Sequence, residues 1–99
     1  MAIVSDIRKL RTYLSENKNQ RPIYMTSGGF DPLHVGHVRC ITGTYDLASN
    51  KDIHSWQMKG IVVVVVNADS FLIRKKGYAF MPIEERMEII DAIEGVDFV

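Results

Sequence analysis

The run Ile61-Val62-Val63-Val64-Val65-Val66 constrains this chain more than any other stretch. It is continuous, apolar and β-branched, with no polar residue set at alternate positions to face water. Such a run reads as a strand buried on both faces, the pattern at the centre of a parallel sheet. It is far too short to cross a membrane as a helix, which takes roughly 20 apolar residues. Parallel neighbours need crossover connections, so helical patterns are expected before and after it.

The preceding pattern is there. Arg21-Pro22-Ile23-Tyr24-Met25-Thr26 reads as a short strand with Pro22 at its edge. Gly28 and Gly29 stop it, and their missing side chains would let a bulky anion approach the backbone. Asp31-Pro32 is a turn signal, after which Val35, Val38, Ile41 and Tyr45 recur at helical spacing. His34 and His37 therefore fall at the first turn of a helix and share one face, with Gly36 keeping that face open. Free N–H groups and the positive end of the helix dipole favour phosphate at such a place. Two imidazole donors suit a phosphate whose charge grows during reaction. Two other readings stand beside this one. The histidines would be zinc ligands, although such pairs are more often four apart and no third ligand lies nearby. Or they cap the helix for structural reasons alone.

The following pattern is there too. Met81-Pro82 opens a helical stripe of Ile83, Met87, Ile90 and Ile93, with Pro82 suited to a first position and Glu84 and Glu85 to the first turn. Gly95 is a stop signal, and Val96 to Val99 read as the start of another strand. Strand, helix, strand, helix, strand predicts an α/β fold, a Rossmann-like open parallel sheet with helices on both faces. Ligands on such sheets bind beyond the carboxyl ends of the strands, where the two glycines and Asn67-Ala68-Asp69 lie.

Residues 1–20 read as an N-terminal helix and linker ahead of a core over residues 21–99. Ile3, Ile7, Leu10 and Leu14 form its stripe, and Asn17 to Arg21 are polar. The helix is either a docking or dimer element or a cover for an open edge of the domain. Residues 49–60 form a long connection in which His54 and Trp56 either touch a base or acceptor or pin the loop to the surface.

The order Gly29-Phe30-Asp31-Pro32, His34, Gly36, His37 resembles the first motif of the cytidylyltransferase-like, or HxGH, nucleotidyltransferases. A second stretch is similar to the glycerol-phosphate cytidylyltransferase and heptose-phosphate adenylyltransferase branches: Val65 to Asp69, Arg74-Lys75-Lys76-Gly77, Glu85-Arg86 and Val96-Asp97. The resemblance covers about residues 22–99. It implies transfer of CMP or AMP from CTP or ATP to a phosphorylated small-molecule acceptor, a sugar or polyol phosphate, with release of pyrophosphate and with Mg²⁺ carried on the triphosphate. It implies that His34 and His37 stabilise the α-phosphate in the transition state. Gly28, Gly29, Phe30, Asp31 and Gly36 would complete the nucleotide-binding loop. Lys75 and Lys76 would grip phosphate from a loop, with Lys76 taking part in catalysis. Asp69 would position ribose, acceptor or metal, or else cap the turn after it. No protein metal site is implied.

The chain departs from that family at three places. The added helix and the longer connection are two. The third is a late Arg-Thr/Ser-x-Gly-Ile-Ser-type motif that closes over the phosphates and is not found before Val99, so the core is expected to be incomplete at its C-terminal end. That expectation opens a second reading, a non-catalytic nucleotide-binding or assembly module. Glu94 stands where glycerol-phosphate cytidylyltransferases place an arginine, which weighs against glycerol phosphate and keeps a sugar-phosphate acceptor open.

Composition adds boundaries. Twelve basic and twelve acidic side chains balance, leaving no electrostatic case for nucleic acid or an anionic membrane. The single Cys40 forbids an internal disulfide and fits a reducing cytoplasm. An exposed edge on a sheet built around the valine run would recruit another chain, so a homo-oligomer is expected.

Overall fold

The computed structural model describes residues 3–17, 21–50 and 60–99. His54 and Trp56 lie outside these residues, as do residues 18–20 of the linker. The elements in chain order are α1 (Ile7–Asn17), β1 (Ile23–Gly28), α2 (Val35–Ala48), β2 (Ile61–Val66), α3 (Asp69–Lys76) and α4 (Ile83–Asp91). β1 and β2 pair in parallel, from Ile23 opposite Ile61 to Gly28 opposite Val66. The fold is α/β, a small Rossmann-like sheet with parallel strands joined through helices.

β2 is central because it has a neighbour on each side. Opposite β1, the Val64 N–H donates to the Phe98 carbonyl at 2.9 Å, and the Phe98 N–H donates to Val62 at 3.2 Å. The Asp97 carboxylate accepts the Val62 N–H at 2.8 Å. The strand expected over Val96 to Val99 is thus present as one parallel bridge, Val63 to Phe98. Ile61, Val62, Val63 and Val64 are 0–1 % exposed, as the unbroken apolar run predicts. Each such burial contributes about 1.5–3 kcal/mol.

Side chains of a strand alternate between faces. Val62 and Val64 pack with Ile41 and Ala48 of α2, Ile90 of α4, and Val96 and Val99, with Tyr24, Tyr45, Val66 and Met87 around them. Phe98 shares the opposite face with Val63, and Tyr13 of α1 stacks on it at 6.0 Å. The Val4 N–H donates to the Val99 carbonyl at 2.8 Å, so the N-terminal segment lies against the C-terminal one. This fits a cover for the sheet. The expected α1 stripe holds only in part: Leu10 and Leu14 are half-buried, whereas Ile7 is 81 % exposed and Ile3 precedes the helix.

One element differs from expectation. The segment carrying Lys75 and Lys76 is not a loop: it is α3, which buries only Leu72. α4 starts at Ile83 with Pro82 as its N-cap residue, and the chain turns at Gly95 toward the C-terminal segment.

Candidate functional site

The site sits where β1 ends and α2 begins. His34 is the N-cap of α2, with extended backbone and φ of −141°. Its Nδ1 accepts the Gly36 N–H at 3.0 Å, while the His37 Nδ1 accepts the His34 N–H at 3.2 Å. The pair forms a reciprocal capping box built from two imidazoles, a variant of the Ser/Thr–Glu arrangement that satisfies two orphan helix donors. An Nδ1 that accepts carries no proton, so in each neutral ring the proton is on Nε2. The rings lie face to face, 4.0 Å apart and tilted by 32°. Capping and phosphate binding are therefore compatible: one nitrogen of each ring closes the helix, and the other remains a donor.

Burial pushes the His37 imidazole below its ordinary value of 6.5, and the neighbouring His34 acts in the same direction. His37 is thus predominantly neutral at pH 7 and offers an N–H rather than a cation.

Gly36 has a more specific role than keeping a face open. A Cβ there would lie 2.8 Å from Cε1 and 3.0 Å from Nδ1 of His34. The glycine makes room for the ring that caps its own N–H. On the side where a Cβ would stand, Gly28 and Gly29 are likewise close to protein atoms. A Cβ on Gly28 would meet the Phe30 ring at 3.3 Å, and one on Gly29 would meet Leu72 at 2.8 Å. Phe30 itself is buried, with its backbone in the left-handed region at φ of 52°. Its ring meets His37 edge-on at 5.2 Å, so its side chain packs against the imidazole.

Asp31 is a clamp. Its carboxylate accepts the Phe80 N–H at 2.6 Å and the Met81 N–H at 2.5 Å, and pairs with Lys76 Nζ at 2.9 Å. The same ammonium donates to the Asp31 carbonyl at 2.7 Å and lies 4.9 Å from the centre of the Tyr78 ring. Desolvation pushes the Asp31 carboxyl up, but the bond from Lys76, the two backbone N–H groups and the lysine charge together hold it below 3.8. The side chain is 1 % exposed, so both oxygens are committed inward.

Lys76 is thus brought to the site, with its charge matched by Asp31. Lys75 is exposed on α3, with Nζ 6.0 Å from the Phe71 ring centre. Asp69 opens α3 and one of its carboxylate oxygens accepts from Nη2 of Arg86, while the side chain stays 37 % exposed. Among the described residues no three His, Cys, Asp or Glu side chains gather as an ion site, and no helix is long and apolar enough to cross a membrane.

Arg86 belongs to the second stretch that carries the resemblance, but the sequence assigns it no role. It is fully buried and reaches the ends of both strands. Its signal was in the sequence: a charge on the apolar stripe between Ile83 and Ile90, where burial demands partners.

Comparison with known proteins shows the family. Residues 25–99 match the cytidylyltransferase-like family. The protein called bifunctional protein HldE in Citrobacter koseri is 29 % identical over 99 residues, covering 98 % of this chain and 18 % of that protein. Those of the same name in Salmonella arizonae and Salmonella newport are each 33 % identical over 87 residues, covering 86 % of this chain and 16 % of theirs. The chain spans 16–18 % of the length of these curated relatives. Since the family match begins within β1 and takes in the imidazole-capped helix and everything after it, this chain belongs to the cytidylyltransferase-like family.

Proposed function

We propose that this chain forms the nucleotide-binding part of a nucleotidyltransferase that moves CMP or AMP from CTP or ATP onto a phosphorylated small molecule, a sugar or polyol phosphate. The observation that carries the reading is the pair of stacked imidazoles whose Nδ1 atoms are held by backbone, leaving Nε2–H donors at the start of α2. Family membership supports the same class of reaction.

In this reaction an acceptor phosphate oxygen attacks the α-phosphorus in line, a new P–O bond forms, and the bond to the β-phosphate oxygen breaks with pyrophosphate leaving. His34 and His37 donate Nε2–H to α-phosphate oxygens as their charge grows, and the α2 dipole adds to that field. Fixed rings need no rearrangement at the moment of reaction, because each is already anchored through Nδ1. Lys76, held over the loop by Asp31, supplies positive charge next to the polyphosphate, and exposed Lys75 adds to it. The buried Asp31 carboxylate is committed to Lys76 and two backbone N–H groups, and Mg²⁺ would enter as part of the substrate, on the triphosphate.

The test is pyrophosphate release from CTP and from ATP with a panel of phosphorylated acceptors. Turnover is expected with one pairing, falling at least about 100-fold in His37→Ala, the scale of losing one donor to a developing oxyanion. Nucleotide binding with no turnover favours the non-catalytic module. Absence of binding to either nucleotide rejects both.

A further inference from the structure

The segment between α3 and α4 holds two aromatic rings in water. Tyr78 is 56 % exposed and Phe80 is 67 % exposed. A single exposed phenylalanine carries no message, because much of any protein surface is apolar. These two differ, because the backbone at Phe80 and Met81 is pinned from both sides. The Phe80 and Met81 N–H groups donate to the Asp31 carboxylate, and the Met81 carbonyl accepts from Nε of Arg86 at 2.9 Å. The side chains of Asp31 and Arg86 are themselves buried. The rings thus stand on fixed backbone, yet neither belongs to the core cluster.

Their place matters as well. Asp31 lies on the loop from β1 to His34, and its partner Lys76 sets Nζ over the Tyr78 ring, 4.9 Å from the centre. A cation over an aromatic ring is attracted to it, so the ammonium links the carboxylate to the aromatic segment. A phosphate drawn to Lys76 brings whatever it carries beside Tyr78 and Phe80. In the reaction proposed above, the acceptor phosphate must touch the α-phosphate to attack it, so it approaches this same corner.

Ring chemistry says what such a phosphate should carry. An aromatic face is electron-rich and packs flat against weakly positive C–H groups. A cyclic sugar offers a side of such groups, and its hydroxyls suit the Tyr78 hydroxyl as donor or acceptor. An open polyol has no fixed side to offer and loses more freedom when ordered.

We infer that Tyr78 and Phe80 form an aromatic rim that holds the ring of a cyclic sugar phosphate acceptor, and so set a preference for a sugar over a polyol. The inference rests on the nucleotidyltransferase reading above and narrows its acceptor class.

The experiment measures turnover of CTP and of ATP with aldose 1-phosphates and with glycerol 3-phosphate, in wild type, Tyr78→Ala, Tyr78→Phe, Phe80→Ala and Phe80→Leu. Wild type is expected to prefer a sugar phosphate. Tyr78→Ala and Phe80→Ala are each expected to raise KM for it about three- to tenfold, the scale of one aromatic contact, with kcat and the nucleotide KM unchanged. Tyr78→Phe keeps the ring and recovers most of that loss, whereas Phe80→Leu, apolar but not flat, does not. A sugar-phosphate KM at the wild-type value in both alanine variants overturns the inference. So does a rise confined to the nucleotide KM, which assigns the rings to the base, or a wild-type preference for glycerol 3-phosphate. Where no pairing turns over, the enzyme reading fails and the ring signals decide the inference by NMR. With nucleotide present, the Tyr78 and Phe80 ring signals are expected to shift with an aldose 1-phosphate and not with inorganic phosphate or glycerol 3-phosphate. Equal shifts with all three, or none, overturn it.

Discussion

β1 and β2 are both six residues long, pair in register and run the same way, yet they do different jobs. β2 has hydrogen-bonded neighbours on both sides and buries its first four residues completely. Among the described residues β1 pairs with β2 alone, and its outer face shows Ile23 at 39 % and Met25 at 60 % exposure. The candidate imidazoles, His34 and His37, follow β1, the less buried strand. The contrast separates support from delivery: β2 fixes the sheet, and β1 carries the chain to the point where it leaves the sheet as a loop and a helix cap.

The largest test of that division places a threonine in each strand. Val64→Thr keeps shape and β-branching but buries a hydroxyl, and is expected to cost about 1–3 kcal/mol in urea unfolding. Met25→Thr is expected to stay within about 0.5 kcal/mol, as for an exposed position. Equal losses would break the comparison.

A second pair sharpens it at the delivery end. Gly36→Ala drives a Cβ into the His34 ring, and is expected to lose about 1 kcal/mol with the cap and to weaken nucleotide binding. Gly43→Ala, in the same helix with nothing within 4 Å of the new atom, is expected to gain about 0.5–1 kcal/mol and leave binding unchanged. Matching losses at both positions would show that the ring fit at Gly36 has no special part.

The smallest effects are with pH. His37 and Asp31 both have lowered values in the folded protein, so the unfolded chain takes up each proton first. The His37 contribution is complete above 6.5 and is lost as pH falls through its lower folded value. The Asp31 contribution is complete above 3.8 and is lost below that. Urea midpoints measured against pH are expected to fall in two stages, with His37→Gln flattening the upper one and Asp31→Asn the lower. Val62→Ala, in the support strand, lowers every midpoint without changing either stage.

The parts legible in the sequence are those that repeat a simple period. β2 has the bounds its apolar run predicts, α2 starts where the histidines predict, and α4 follows Pro82. What stayed hidden depends on partners far along the chain. Nothing near Asp31 announces that it holds amides at Phe80 and Met81, about fifty residues on. α3 carries three basic residues at its end and buries only Leu72, too little for a helical stripe to stand out. The glycines were recognised as sites of close approach, but what approaches is the Phe30 ring, Leu72 and the His34 ring. Periodicity shows which face is covered and is silent on which atom fills a gap.

The imidazole cap has one more consequence. A ring nitrogen that receives a peptide N–H cannot also hold a proton, so full protonation of His37 must release the His34 amide. Acid would therefore fray the first turn of α2 at the same moment as it charges the ring. Chemistry that needs only the outward nitrogens leaves that turn whole, and a mechanism that passed protons through the inward ones would loosen the helix at every cycle.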